Sequence, residues 1–449
     1  MKKPCFFFIC VIFATALNSF AVSLMDIPAT WTLQSLATNG KDYAFSFVDR
    51  TKAADGVYLQ VNQKRLGPFA RVTRLGWSPD GSALGFCAGE GKAISVYVDL
   101  KKRGSFDEIW QYIWAPKGSD LAVVGVNGTK TSIQLNAGSA VLYDKAVEGG
   151  LEPGMGFRDP HWSPDGKRFV FFFSHFGQSV LWDGLKPVEK HEGIFDLSLS
   201  PDGKSLAFGA FDKKMWYLHR GDQTIGPEAV GFYGVAWAPD SRRLAYSRSS
   251  YNTPCEIWVD NQMLTQVSSK SGVYPRWSPD GQQIAFEYTE PIGDRFFYYN
   301  GEILGPFMDD YYLFTYRWSA DSKHFAVPVQ KKDGSKNWTV LVDGEEVGPF
   351  PERPLLPDAP WSPDGSKFAF ITYTWSPTAH YTLFVDGVSQ AQGFSLDEAV
   401  WAADSHHLAF QREEDNVTYS KVLFEGEEYP GTVFAGKVLM VENGKLLFK

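Results

Sequence analysis

The pentapeptide Trp-Ser-Pro-Asp-Gly occurs four times, at Trp77, Trp162, Trp277 and Trp361, and nothing else in the chain restricts its fold so tightly. Aligned on the tryptophan, ten segments share the pattern, starting at Leu36, Trp77, Trp114, Trp162, Leu199, Trp237, Trp277, Trp318, Trp361 and Trp401. Divergent copies read LSPDGKSLAF, WAPDSRRLAY, WSADSKHFAV, WAADSHHLAF and, furthest from the pattern, LATNGKDYAF. A period of about forty residues marks an array in which each unit covers its apolar faces with its neighbours, so length alone does not set the domain count.

Each unit carries two hairpin signals. In Ser-Pro-Asp-Gly, proline presets φ and the glycine suits a type I turn that passes into a bulge. About twenty residues later come Asp183-Gly184, Asn300-Gly301, Asp343-Gly344 and Asp386-Gly387, pairs that tolerate the positive φ of a tight I′ hairpin. Two hairpins joined by a further turn make four antiparallel strands, at the spacing of an all-β protein. The strand after the first turn is a nearly unbroken apolar run, RFVFFF at 168–173 and KFAFIT at 367–372. Strands read that way when both faces of their sheet are covered.

Helical repeats are excluded, because proline and glycine recur in every unit and no amphipathic helix of useful length appears. A parallel solenoid conflicts with hairpins that reverse the chain. The expected fold is an all-β propeller of about ten four-stranded antiparallel units. In it Trp77, Trp114, Trp162, Trp237, Trp277, Trp318, Trp361 and Trp401 wedge between blades, and the small Ala207, Ala245, Ala285, Ala369 and Ala409 let the next sheet approach. Ten units exceed the usual four to eight blades. One wide ring and two smaller propellers meeting near Gly231 both fit. The closing segment 438–448 is expected to add a hairpin, completing the blade begun by the N-terminal strand.

The repeat WSPDGxxxAF resembles that of TolB-type, WD-repeat-like bacterial propellers, over about residues 31 to 449. That resemblance implies a secreted or periplasmic propeller of a kind that mostly binds proteins. TolB has an α/β domain before its propeller, whereas here repeats begin soon after the N-terminus, so its partners are not carried over. Propeller peptidases with such repeats carry an appended α/β-hydrolase domain, for which the repeats leave no room.

Residues 1–21 read as an export signal. Lys2 and Lys3 precede the apolar run from Phe6 to Leu17, and Ser19-Phe20-Ala21 is a small-x-small cleavage site. Cutting after Ala21 leaves residues 22–449 as the repeat region, with no membrane span, in the periplasm or outside the cell. The competing reading is an uncleaved anchor over 5–22. Cys87 and Cys255 are the two cysteines beyond the signal. They fall at different offsets in distant repeats, so two buried, unpaired thiols are expected, although an oxidising compartment would permit a bridge.

A formal charge of −9, with no basic block, argues against nucleic acid as a partner. The recurrent turn residues Asp80, Asp165, Asp202, Asp240, Asp280, Asp321, Asp364 and Asp404 sit one per blade. A calcium site needs six to eight converging oxygens, so these carboxylates read as turn formers. The eight histidines show no zinc spacing, and His324, His406 and His407, which follow turns, read as solvated. There is no GxSxG, HExxH or GxxxxGK[ST], so no catalytic role and no cofactor are expected. A carboxylate pair on different blades, as in glycosidases, is neither identified nor excluded.

The best candidates for ligand contact are aromatic loops: Tyr311, Tyr312 and Tyr316 in DDYYLFTY, Tyr373, Trp375 and His380 in TYTWSPTAHY, and Tyr251 in SRSSYNTP. Tyrosine and tryptophan are enriched at interface hot spots. The competing reading has them cap their own blades. Gly-Pro-Phe at 67–69, 305–307 and 348–350, with Gly226-Pro227 as a partial copy, reads as the bend between blades, because proline cannot donate to a ladder. The chain is thus expected to be an exported, non-catalytic propeller that binds another envelope or secreted protein, with a glycan ligand as the alternative.

Overall fold

The repeated turns and the two-residue alternation around them fold the chain into successive antiparallel sheets. In this computed structural model, residues 7–448 are described except 15–19, 28–30, 40–41, 53–55, 129, 136–138, 144–155, 176, 251–252, 270, 300, 309–315, 375–379, 394, 415–416, 425, 435–436 and 443–444. No helix occurs among the described residues. The chain divides into two compact units, Met1–Ala229 and Val230–Lys449.

The first unit holds sheets 1 to 5, at 31–69, 72–106, 108–143, 157–191 and 193–228. The second holds sheets 6 to 10, at 231–267, 276–308, 317–350, 353–393 and 395–448. Sheets 1 to 9 each pair four strands in chain order, and the tenth has six. Phe7–Ala14 and Phe20–Ile27 pair separately as a two-stranded sheet. Four-stranded meanders that succeed one another face to face are the blades of an all-β propeller fold.

The closing hairpin forms, but on a different sheet from the one expected. Lys437–Glu442 and Lys445–Phe448 extend sheet 10, while sheet 1 has four strands of its own.

The second strand of each sheet explains why the sheets need neighbours. In Phe169–His175, Phe169, Phe171 and Phe173 pack with Ala122 and Val124 of sheet 3. The intervening Val170 and Phe172 pack with Phe208 and Ala210 of sheet 5. Alternate side chains point to opposite faces, so an apolar run is what a doubly covered strand requires. Ala369 repeats the logic, with Ile371, on the face toward Leu408 and Phe410, while Phe368 and Phe370 face the preceding sheet.

The turn chemistry is local and recurs in copy after copy. Ser163 Oγ donates to Asp165 Oδ1 at 2.6 Å and accepts from the Arg168 amide at 2.9 Å. Asp165 Oδ1 also accepts from the Lys167 amide, and the Gly166 amide closes the turn on the Ser163 carbonyl. Gly166 has φ of 74°, the left-handed region a bulged type I turn demands. In the second hairpins, Asp343-Gly344 (φ 53° and 86°) and Asp386-Gly387 (50° and 76°) have the two positive φ values of a I′ turn.

Turns also fasten one sheet to the next. Asn39 Nδ2 donates to the Gly81 carbonyl, the Gly118 amide to Asp80 Oδ2, and Arg168 Nη1 to the Gly203 and Lys204 carbonyls. In the second unit, Arg243 Nη2 donates to the Gly281 carbonyl at 2.6 Å. The Asp280 and Asp364 amides donate to Ser322 Oγ and Ser405 Oγ, at 2.8 and 3.0 Å.

Gly-Pro-Phe is not the bend between blades. It lies inside the fourth, outermost strand, in Lys64–Phe69, Gln223–Glu228 (as Gly-Pro-Glu), Glu302–Met308 and Glu345–Phe350, each with a cis Gly-Pro bond. A register shift accompanies every copy. Proline is tolerated there because an edge strand at a bulge has no donor to lose. The phenylalanine turns toward the next sheet: Phe69 meets Phe86 and Tyr97, and Phe350 meets Phe370 and Phe384.

Candidate functional site

Of the aromatic candidates, Tyr251, Tyr311, Tyr312 and Trp375 lie outside the described residues. Tyr316 is not a surface residue: it is 2% exposed, its hydroxyl donates to the Ala285 carbonyl at 3.0 Å, and its ring meets Phe297 and Phe325. Burial pushes its phenol well above the usual range. It stands just before the strand Arg317–Trp318 and closes the core between sheets 7 and 8 together with Trp318. Tyr373 is half-buried and pairs in register with Tyr381, their rings 4.6 Å apart. His380, half-buried, lies opposite Thr374 on the same strand pair.

Trp114, Trp162, Trp277, Trp318, Trp361 and Trp401 pack in the apolar seams between successive sheets. Trp361 and Trp401 are buried, and Trp77, Trp114, Trp162, Trp237, Trp277 and Trp318 are half-buried. Cys87 and Cys255, one in each unit, are buried and unpaired.

The histidines depart from expectation. His406 is exposed, but His407 is 3% exposed, with Nδ1 2.6 Å from Asp404 Oδ2. Both lie in the turn that precedes Leu408–Glu414, where the Asp404 carboxylate draws His407 inward and leaves His406 at the surface. His324 is half-buried and pairs through Nδ1 with Asp343 Oδ2 at 2.7 Å.

Two surface features stand out. The first is the set of outermost strands in the second unit. Gln262–Val267, Glu302–Met308, Glu345–Phe350 and Val388–Gly393 contain no lysine or arginine. They present Met263, Leu264, Ile303, Met308 and Val388 to solvent, with Ile303 51% and Val388 61% exposed. In the first unit three of the five corresponding strands, Lys64–Phe69, Lys101–Phe106 and Lys186–His191, are rich in lysine and arginine, residues that blunt a sheet edge against pairing, while Ser139–Tyr143 and Gln223–Glu228 carry none.

The second feature joins sheets 4 and 5 within the first unit. His191 ends the outer strand Lys186–His191, Asp212 ends Leu206–Asp212, and His219 lies in Met215–Arg220. His191 Nδ1 is 2.5 Å from Asp212 Oδ2, and its Nε2 is 3.2 Å from Glu189 Oε2. His219 Nδ1 is 3.9 Å from the same Glu189 oxygen. Asp212 Oδ1 accepts from the Glu192 amide, and the His219 ring lies flat on Phe208. The bond to Glu189, with a further one to Asp212, raises His191 above the ordinary histidine range, whereas burial draws His219 below it. Spacing along the chain conceals this cluster, because its members come from two sheets and meet only when the blades pack.

No family model matches the chain, and no curated protein matches it. Among solved structures, the chain is similar to one described as a eukaryotic initiation factor, at 13% identity and a TM-score of 0.41, over 86% of this chain and 94% of that one. It is similar to the Dos1 propeller, at 13% identity and 0.37, over 72% and 94%. It is also similar to TolB from Acinetobacter baumannii, at 15% identity and 0.29, over 61% and 77%. The fold rests on the ten sheets themselves.

Proposed function

We propose that the chain is an exported, TolB-like binding module whose ligand is another protein, held without chemistry at the second unit's outer strands. One observation carries this reading: sheets 6, 7 and 9 there end in strands that expose Met263, Leu264, Ile303, Met308 and Val388 with no lysine or arginine among them. Large apolar side chains gathered at solvent mark interaction surfaces, and an edge strand without gatekeeper charges can accept an added strand from a partner. The N-terminal pattern of residues 1–21 supports export to the periplasm or beyond. A photo-crosslinking amino acid placed at Ile303 or Met263 in intact cells tests the reading. One specific protein should be captured, and capture should vanish when Met263→Lys and Ile303→Lys are combined. Capture undiminished by that double substitution, or no captured protein at all, refutes it.

A further inference from the structure

We propose that Glu189, His191 and His219 form a divalent transition-metal site, suited to zinc, that pins the outer strand of sheet 4 to sheet 5. Their ligand atoms lie within 4.8 Å of one another. Two imidazoles and one carboxylate are a ligand set zinc accepts, at about 2.0–2.2 Å per bond, with a fourth position left to water or another ligand. Such bonds separate adjacent donors by about 3.3 Å in a tetrahedron. The 3.2 Å between Glu189 and His191 is therefore already in place, while the 3.9 Å from Glu189 to His219 and the His191–His219 separation, within 4.8 Å, close by small side-chain rotations of Glu189 and His219.

The surroundings resemble a site rather than a chance meeting of side chains. Asp212 holds His191 by Nδ1 and is itself fixed by the Glu192 amide. That arrangement leaves Nε2 toward Glu189 and matches the carboxylate–histidine–metal relay in which an outer carboxylate orients the ligand ring. Phe208, stacked 4.6 Å from the His219 ring, restricts the second imidazole in the same way. Calcium and magnesium are disfavoured, since both seek mostly oxygen donors.

The test is calorimetric titration of chelator-treated protein with zinc chloride, alongside the visible absorption of the cobalt(II) form. The wild-type chain should show saturable binding and a thermal midpoint that rises with zinc. His219→Ala and Glu189→Gln should each abolish both effects. Asp212→Asn, which leaves all three ligands, should weaken affinity about 10- to 100-fold. Glu189 is exposed, so Glu189→Gln decides the matter even if removing His219 from its stack disturbs folding. Absence of saturable binding overturns the proposal, as does binding unchanged in both Glu189→Gln and His219→Ala.

Discussion

The indole Nε1 of Trp401 donates to the Pro360 carbonyl at 3.0 Å, and Pro360 is the residue immediately before the tryptophan of the preceding copy. Trp277 does the same to Ala236 at 3.0 Å, and Trp162 to Ile113 at 3.1 Å. These three tryptophans thus pack between sheets and also tether their own sheet to the backbone of the one before. Trp401→Ala is expected to cost about 3–5 kcal/mol, as for a buried tryptophan truncated in a core. Trp401→Phe keeps most of the apolar contact and should cost less, with about 1 kcal/mol of the loss due to the missing hydrogen bond. Urea denaturation of both variants checks this, and equal losses would contradict it.

Acid should weaken the turns. The Ser78 hydroxyl, followed by Ser82, lowers Asp80 to about 2 from its usual 3.8, and Ser319 with Lys323 does the same to Asp321. Asp165, Asp202, Asp280 and Asp364 are displaced in the same direction, chiefly by their own turn serines. A carboxylate with a lower pKa folded than unfolded stabilises the fold fully above about pH 4, and that contribution fades as the pH falls toward 2. The thermal midpoint should therefore drop over that interval, and less steeply in Asp321→Asn. A midpoint flat from pH 4 to 2 would rule the coupling out.

Glu287 and Arg295 form a buried ion pair within sheet 7, both under a tenth exposed, with the guanidinium over the Phe297 ring. Removing one charge strands the other in the core. Glu287→Gln should cost about 3–5 kcal/mol, whereas Glu287→Leu combined with Arg295→Met should cost much less. Chemical denaturation of the single and double variants makes the comparison. A double variant less stable than the single would show that the pair contributes net stability.

The two thiols should be silent in the folded protein. Burial pushes Cys87 up to about 12 and raises Cys255 as well, and it is the thiolate that reacts. In a variant lacking residues 1–21, a thiol reagent near neutral pH should detect Cys87 and Cys255 only after denaturant is added. Rapid labelling of the native protein would contradict the packing of both sheets.

Features set within a few residues were legible in the sequence. The Ser163–Asp165–Arg168 network spans six residues, and the doubly covered strand shows as five consecutive apolar residues from Phe169 to Phe173. What depends on the opposite sheet was not legible. Tyr316 looked like a loop aromatic, and it does precede the strand Arg317–Trp318, but its ring is drawn into the core between sheets 7 and 8. His407 and His406 are indistinguishable as letters until the fold of the Asp404 turn assigns one inward and one outward. No spacing rule links His191 to His219, because their meeting is fixed by how the edge of one sheet lies across the next.

Ser322 and Ser405 stand where other copies have glycine, at φ of 63° and 61°, and each hydroxyl receives the aspartate amide of the copy before. What looks like erosion of a motif is half of a handshake: sheets 7 and 9 offer the amide, and sheets 8 and 10 supply the oxygen. The copies are therefore not interchangeable parts. A consensus version with glycine at every turn would relax three backbones, at Ser241, Ser322 and Ser405, while cutting the latches at Ser322 and Ser405. Swapping sheet 8 for sheet 9 would set the Asp280 amide against Gly365, which has no hydroxyl to receive it.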